Sequence, residues 1–256
     1  MKSLVNSLSL KQKTILRDFA RRAGLEVSPN TQNFRDDLRL AGLLKLFDIK
    51  LVLDVGANRG QFAQELFKAG YAGKIVSFEA LPDAHATLLR SASKSGRDWD
   101  IAPRVALSAQ AGVAQFHVTA TDTASSLRVP GQDMVASTPS TRLASTIQVQ
   151  TARLDDLLKE MGIVVEQCFI KLDVQGAETL VLAGASNAIA SASGLMTELS
   201  LIPLYEGEPS AQDVLGTVYE AGFEVWDIWQ GFRNPQTYRL NQIDIVCFKS
   251  TSNTHA

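Results

Sequence analysis

The sequence predicts a single α/β domain built on a parallel β-sheet with helices on both faces. From residue 50 onward, short apolar runs rich in β-branched residues alternate with helical stretches, as parallel strands joined by crossover helices require. The chain has 256 residues, of which 45% are hydrophobic, and this is enough for one full core. Because no internal repeat or linker divides the chain, residues 50–250 are assigned to one domain.

One or two amphipathic helices are predicted ahead of this domain. Apolar residues recur at helical spacing among Lys and Arg in residues 8–26, and the same pattern returns in residues 36–47. Residues 1–49 are therefore interpreted as an N-terminal helical extension that covers the sheet or a cleft, or makes a homodimer contact. The first helix has a basic side, which is typical of a solvated face and would alternatively suit contact with an anionic surface.

Seven apolar runs supply the strands of the predicted sheet. They span residues 51–55, 74–78, 101–107, 168–172, 194–198, 223–228 and 243–248. The helical stretches between them would cover the two faces of the sheet.

An insertion separates the third strand from the fourth. Residues 115–119 and 145–151 alternate between apolar and polar side chains, which predicts two further strands, and residues 121–141 are rich in Ser, Thr, Pro and Gly. We expect residues 113–151 to form two strands around a mobile loop, placed where a substrate lid could sit. Residues 251–256 are predicted to form a disordered tail.

Composition and charge disfavour several classes of partner. The chain has 25 Lys and Arg against 27 Asp and Glu, so it lacks the excess of positive charge that would indicate nucleic-acid binding. Cys168 and Cys247 lie inside apolar runs, and we interpret them as core thiols of a protein from a reducing, cytoplasmic compartment. The N-terminus lacks a sustained apolar run, and Gly, Ser and Asn break the longest charge-free stretch, residues 179–197. Neither a secretion signal nor a membrane span is predicted.

The strongest chemical signal is the turn after the first strand. A buried strand ends in Asp54, and Gly56 and Gly60 permit a tight turn that brings a ligand close to the backbone. The turn departs from the dinucleotide pattern G-x-G-x-x-G, because Asn58 replaces the middle glycine and Gln61 the third, and it lacks the Gly-Lys-Ser/Thr of a phosphate-binding loop. A nucleotide-like cofactor is predicted, while nicotinamide, flavin and nucleoside triphosphate enzymes are disfavoured.

Glu79 comes directly after the second strand, 19 residues beyond Gly60. A carboxylate at this position can accept hydrogen bonds from both hydroxyls of an adenosine ribose. The alternative role is to cap the following helix, which begins near Pro82. In combination with the first turn, the position favours ribose binding.

Several blocks together resemble the FkbM family of S-adenosylmethionine-dependent O-methyltransferases. They are Asp-Val-Gly-Ala-Asn-x-Gly at 54–60, Phe-Glu-Ala-Leu-Pro at 78–82, Ala-Leu-Ser at 106–108, Ser-Ser-Leu at 125–127, Leu-Asp-Asp-Leu at 154–157 and Ile-Lys-Leu-Asp-Val-Gln-Gly-Ala-Glu at 170–178. The resemblance implies a class I methyltransferase fold, which is Rossmann-like and has seven strands with the last one antiparallel. It also implies methyl transfer to a hydroxyl of a sugar, a glycolipid or a natural product.

The resemblance also implies where the cofactor binds. Asp54, Gly56, Ala57, Asn58 and Gly60 would surround its methionine part, Glu79 would bind the ribose, Ala106, Leu107 and Ser108 would lie near the adenine, and Asp173 would lie beside the methyl donor. One departure is Ala80, where the family most often has Pro, and this change affects the loop more than the ribose contact.

Three carboxylates are candidates for catalysis at the same sheet edge. Asp173 ends the fourth strand and is the first candidate for a base that removes the proton of an attacking hydroxyl; Glu178 and Glu198 are the others. Alternatively, two or three of them, Asp173 and Glu198 among these, bind Mg²⁺ that orients a sugar diol, or all three cap helices.

Four residues are candidates for binding the acceptor, which would be a small molecule or a glycan. Ser125 and Ser126 lie in the polar insertion, whereas Tyr205 and Trp229 could stack on a sugar ring or simply pack in the core. Two other functions stay open: methylation of a non-sugar acceptor, and a catalytically inactive scaffold that binds the cofactor in glycan assembly. A glycolipid acceptor would bring the enzyme to a membrane surface.

Overall fold

A computed structural model describes residues 9–24 and 35–250. In chain order the elements are α1 (Leu10–Arg22), α2 (Asp36–Leu46), β1 (Leu51–Val55), α3 (Gln61–Ala69), β2 (Lys74–Phe78), α4 (Pro82–Ser95), β3 (Trp99–Ile101), β4 (Ala106–Leu107), β5 (Gly112–Thr119), α5 (Gln132–Ser137), β6 (Leu143–Ala152), α6 (Leu154–Glu160), β7 (Cys168–Leu172), α7 (Glu178–Ala183), α8 (Ser186–Ser191), β8 (Gly194–Ser200), α9 (Ala211–Glu220), β9 (Phe223–Gln230) and β10 (Gln242–Lys249). The predicted tail, 251–256, lies outside the described residues.

The main sheet has seven strands in the order β3-β2-β1-β7-β8-β10-β9. Strand β1 runs parallel to β2 and β7, β2 is parallel to β3, and β7 is parallel to β8, whereas β10 is antiparallel to both of its neighbours. The predicted class I fold, a mostly parallel sheet with an antiparallel last strand, is therefore confirmed. Because β1, β2, β7 and β8 are parallel, their carboxyl ends meet at one edge of the sheet.

Helices cover both faces of this sheet, as predicted. The central strands β1 and β7 are buried along their whole length, which explains their continuous apolar runs. One core cluster joins Leu53 and Ile170 to α6, α7 and α9, and a second joins Val52 and Phe169 to α2, α3 and α4. Both cysteines are buried free thiols.

The prediction of one third strand over residues 101–107 is wrong. Strand β3 ends at Ile101 in the main sheet, and β4 begins at Ala106 in a separate three-stranded sheet, order β4-β6-β5. Pro103 lies between them and has no N–H to donate to a strand ladder, so the chain leaves the first sheet there.

The insertion forms the rest of this second sheet. Strands β5 and β6 are antiparallel and extend beyond the predicted ranges. The segment between them contains α5 and two 3-10 turns, Asp122–Ala124 and Pro139–Thr141. Isolated bridges from His117 to Ser126 and from Pro130 to Tyr205 tie it to β5 and to the chain after β8.

The N-terminal part of the chain contains two helices in the predicted places. Helix α2 packs against α3, and its Leu40 and Leu44 enter the second core cluster. Helix α1 is mostly exposed, with Ala20 as its buried residue. Across residues 9–24 and 35–250, no helix is long and apolar enough to cross a membrane.

Candidate active site

A cavity of about 350 Å³ lies where the parallel strands end. The turns after β1, β2 and β7, Glu198 of strand β8, the strand β4 and the insertion form its walls. The lining residues are Val55, Gly56, Ala57, Asn58, Gln61, Phe62, Phe78, Glu79, Ala80, Leu81, Val105, Ala106, Leu107, Phe116, Asp122, Thr123, Ser125, Leu127, Lys171, Asp173, Val174, Gln175 and Glu198.

The turn after β1 depends on Gly56. Its φ is +75°, and a Cβ built there would lie 1.8 Å from the carbonyl oxygen of Asp173, so no other residue fits without moving the β7 turn. The Gly56 and Ala57 amides donate to the carbonyl oxygen of Phe78. The geometry thus places Gly56, Ala57 and Asn58 in the cavity wall, between β2 and β7.

Gly60, predicted to lie beside the cofactor, is not among the residues that line the cavity. Its φ is +88°, and a Cβ there would lie 2.6 Å from the Trp99 ring. Glycine is needed at this position for packing at the start of α3, because Trp99 and Leu88 occupy the space of a side chain.

Asp54 also lies outside the cavity wall, although the resemblance placed it around the cofactor. Its side chain is fully buried, with Oδ1 3.3 Å from the Lys171 ammonium, and Oδ2 accepts a hydrogen bond of 3.0 Å from Ser77. Burial alone would lower the pKa of Lys171, but the charges of Asp173 and Asp54 raise it overall. Asp54 therefore helps to hold Lys171 beneath the cavity.

Glu79 occupies its predicted place at the end of β2. Its Oε2 accepts a hydrogen bond of 2.8 Å from the Asn58 amide, and Oε1 accepts one of 2.7 Å from the Leu81 amide. Burial raises the pKa of this carboxyl group. The same side chain thus fixes the two turns and faces the cavity, so capping and ligand binding are compatible.

Asp173 and Glu198 come together through Gln175. The Gln175 Nε2 donates to Asp173 Oδ1 and to Glu198 Oε2, both at 2.8 Å, and Lys171 lies 3.1 Å from Asp173 Oδ2. Gln175 has a φ of +57°, and its Oε1 accepts a hydrogen bond of 2.7 Å from the Tyr205 hydroxyl. With its oxygen towards the Tyr205 hydroxyl, the Gln175 amide points its nitrogen at both carboxylates.

The two carboxylates differ in their surroundings. Asp173 has a side chain that is 38% exposed and is paired with Lys171. Burial raises the pKa of Glu198 well above its ordinary value, and the negative charges of Asp173 and Glu178 raise it further. The site therefore favours a protonated Glu198 beside a Lys-paired Asp173.

Glu178, the third predicted catalytic carboxylate, does not line the cavity. Its side chain is buried at the start of α7, and Oε1 accepts hydrogen bonds of 3.1 Å from the Val174 amide and 3.3 Å from the Gly176 amide. These bonds hold the turn that carries Asp173 and Gln175. The observed contacts of Glu178 are thus those of a residue that braces this turn.

Tyr205 and Trp229 are not available as platforms for a sugar ring at this cavity. Tyr205 is only 2% exposed, its ring packs against Gly176, and its hydroxyl contacts the Ala124 carbonyl oxygen at 3.1 Å. Trp229 lies away from the cavity wall, packed against the second core cluster with its Nε1 donating to Asp227. Both aromatic rings have the packed positions that the sequence left open as the alternative.

The two predicted serines have different positions. Ser125 lines the cavity, and its Oγ accepts a hydrogen bond of 3.0 Å from the Thr119 amide. Ser126 is buried outside the lining, where its Oγ donates to the carbonyl oxygen of Val174 at 3.1 Å. Ser126 therefore joins the insertion to the β7 turn rather than facing the cavity.

An apolar wall lies where the adenine was predicted. Ala106 and Leu107 line the cavity together with Leu81 and Phe116. Ser108, the other residue predicted near the adenine, is not among the lining residues, and its amide donates to the carbonyl oxygen of Ala152. Phe116 was missed because the insertion was interpreted as a lid, although its apolar position in an alternating strand indicated a covered face.

The insertion also contributes polar residues that sequence reasoning missed. Asp122 and Thr123 line the cavity, and Asp122 forms an ion pair with Arg59 of the first turn. No local motif indicated this contact, since the two residues are 63 positions apart.

The acidic side chains at the cavity give little support to the predicted Mg²⁺ site. Over the described ranges, no group of three His, Cys, Asp or Glu side chains is arranged to hold a metal ion. Asp173, one of the two predicted ligands, already contacts the Lys171 ammonium. The positive charge beside the carboxylate pair thus comes from the protein itself.

Comparison with known proteins gives matches over most of the chain. The methyltransferase FkbM domain matches residues 54–225. A curated relative, the 2-O-methyltransferase NoeI of Sinorhizobium fredii, is 28% identical over 215 residues, covering 81% of this chain and 84% of that protein.

Solved structures of methyltransferases also match. Magnesium protoporphyrin IX methyltransferase from Synechocystis, with bound S-adenosylmethionine, is 13% identical, with 95% of this chain and 100% of that chain covered and a TM-score of 0.44. An rRNA methylase from Streptococcus thermophilus is 11% identical, with 83% and 95% covered and a TM-score of 0.45.

Proposed function

The chain belongs to the methyltransferase FkbM family and is an S-adenosylmethionine-dependent methyltransferase, and from this we propose that it methylates a hydroxyl group of a sugar-containing acceptor. The observation that carries the proposal is the carboxylate pair, Asp173 and Glu198, which Gln175 holds in the cavity wall. The relative described as a 2-O-methyltransferase supports a hydroxyl as the acceptor group.

The cavity residues fit the cofactor that the family implies. Glu79 keeps unused lone pairs on both oxygens, which suits the two hydroxyls of a ribose. The apolar wall of Leu81, Ala106, Leu107 and Phe116 suits an adenine ring. S-adenosylmethionine, when bound, supplies a methyl group on a positively charged sulfur, and its displacement by a hydroxyl oxygen gives an ether and S-adenosylhomocysteine.

Asp173 is the base in this proposal. A neutral alcohol is a weak nucleophile, so its proton must leave as the oxygen attacks. One oxygen of Asp173 accepts from Gln175 and the other contacts Lys171, which leaves each with a lone pair for the acceptor hydroxyl. The hydroxyl proton passes to this carboxylate, and Lys171 and Gln175 fix its direction.

Glu198 orients the acceptor in this proposal. Its raised pKa favours the protonated form, whose O–H donates to a neighbouring acceptor oxygen. A diol would then donate from one hydroxyl to Asp173 and accept at the other from Glu198, which is a reason to expect a sugar. The two carboxylates thus perform different tasks in this proposal.

Mg²⁺ does not enter this proposal. Lys171 supplies a fixed positive charge next to Asp173, and the Gln175 amide separates Asp173 from Glu198 by occupying an oxygen of each. The carboxylate arrangement is therefore explained without a bridging ion.

The proposal is tested by incubating the full chain with S-adenosylmethionine and a panel of acceptors, with S-adenosylhomocysteine formation as the readout. The panel pairs glycosides with analogues that lack one hydroxyl, and it includes phenols. We expect turnover with glycosides and loss of turnover when the methylated hydroxyl is missing. Turnover with phenols alone would assign a different acceptor, and cofactor binding without any turnover would indicate a scaffold.

A further inference from the structure

Helix α1 exposes an apolar stripe to solvent. Phe19 is 73% exposed, Ile15 60% and Leu16 45%. At about 100° per residue, these three side chains lie within one stripe of about 100° along the helix. Such a stripe normally packs on a core, so its exposure on a well-formed helix indicates a surface that binds something.

Helix α1 is strongly basic, whereas the chain as a whole is slightly acidic. The helix contains five basic residues, Lys11, Lys13, Arg17, Arg21 and Arg22, and one acidic residue, Asp18, whereas the whole chain has a net charge of −2. At helical spacing, Lys11 and Arg22 border the apolar stripe on one side, next to Asp18, and Lys13 lies nearest the other border. An anionic surface would thus contact both borders at once.

Residues at both ends of α1 stabilise it as a separate helix. The Ser9 hydroxyl accepts from the Gln12 amide, and the Gln12 side chain accepts from the Ser9 amide, forming a capping box. Two arginines in the last turn face the negative end of the helix dipole. These features define a short, continuous helix of 13 residues, about 20 Å long.

We propose that α1 binds in the surface of a lipid bilayer that contains anionic phospholipids. The stripe of Ile15, Leu16 and Phe19 enters the boundary between headgroups and acyl chains. The basic side chains on both borders extend their stems along this boundary and contact lipid phosphates.

Charge favours a bilayer over a second copy of the chain. Two α1 helices packed stripe against stripe would bring together Lys11, Lys13 and Arg22 of each copy, with one acidic residue, Asp18, on each to offset three basic ones. An anionic bilayer instead attracts those basic residues. The proposal is independent of the acceptor, since it rests on α1 alone.

Sedimentation with vesicles tests the proposal on the full chain. We expect it to bind phosphatidylcholine vesicles containing about one third phosphatidylglycerol at least about tenfold more strongly than phosphatidylcholine alone, and to lose binding at high salt. Lys11→Glu/Lys13→Glu and Ile15→Ser/Phe19→Ser should each weaken binding at least about tenfold.

Matched controls use residues of the same kind elsewhere on the surface. Lys94→Glu/Lys159→Glu and Tyr219→Ser should leave vesicle binding within about twofold of the original. Circular dichroism and S-adenosylhomocysteine binding show that each variant stays folded. The proposal would be overturned by equal binding to both vesicle types or by equal losses in the controls. It would also be overturned if the chain bound no vesicles and instead formed a dimer that Phe19→Ser dissociates.

Discussion

Asp173→Asn is expected to reduce turnover by about 10²- to 10⁴-fold while leaving S-adenosylhomocysteine binding within about threefold. Asparagine keeps the size of the side chain and can still meet Gln175 and Lys171, but it cannot take up the hydroxyl proton. Steady-state methyl transfer together with calorimetric titration separates the two effects.

Two companion variants make this result specific. Asp156→Asn changes an exposed carboxylate of α6 in the same way and should leave turnover unchanged. Glu198→Gln should reduce turnover less than Asp173→Asn, because a glutamine can still donate where a protonated glutamate donates. If Asp173→Asn retained nearly full turnover, the base would have to be another group.

Lys171→Met is expected to lower the free energy of unfolding by about 3–5 kcal/mol, because it leaves the Asp54 carboxylate buried without its cation. Urea unfolding measures this loss. The double variant Asp54→Asn/Lys171→Met should recover part of it, since replacing both partners removes the unpaired charge.

An exposed lysine provides the control for this variant. Lys74→Met removes a surface ion pair with Asp100 and should change the free energy of unfolding by about 0–1 kcal/mol. If Lys171→Met had an equally small effect, the buried ion pair would not be what holds the carboxyl end of β1 to that of β7.

The fold could be predicted because the sheet is buried on both faces. Strands β1 and β7 are continuous apolar runs for that reason, and their periodicity differs plainly from that of the helices between them. Pro103 was the available sign that residues 101–107 are not one strand. The antiparallel position of β10 came from the resemblance, since a strand's direction leaves no mark on its own residues.

Only those site residues that directly follow a strand could be predicted from the sequence. Glu79 and Asp173 follow strands and reach the cavity, but Asp54 lies within β1 beside Ser77 of β2 and Lys171 of β7. Three polar residues at the same level of three neighbouring strands indicate a buried polar cluster. That signal needs the register of the strands, which the sequence does not state.

Side-chain orientation accounts for the remaining differences between the predicted and the observed site. Gln175 lies in a turn whose positive φ directs its amide between two carboxylates, and Tyr205 supplies the hydroxyl that fixes the amide. The hydrogen bond between Tyr205 and Gln175 joins residues that are 30 positions apart in the chain. Composition and spacing identify an aromatic residue near the site, but only packing decides whether it faces a ligand or braces a turn.

Calorimetric titration with S-adenosylhomocysteine, on the unchanged chain and on Glu79→Ala, tests the central claim that this cavity holds the cofactor. We expect micromolar binding to the unchanged chain and at least about tenfold weaker binding to Glu79→Ala, since a hydrogen-bonded carboxylate is lost. Glu160→Ala, an exposed glutamate of α6, should bind normally. Absence of binding to the unchanged chain, or equal affinity for Glu79→Ala, would contradict the account.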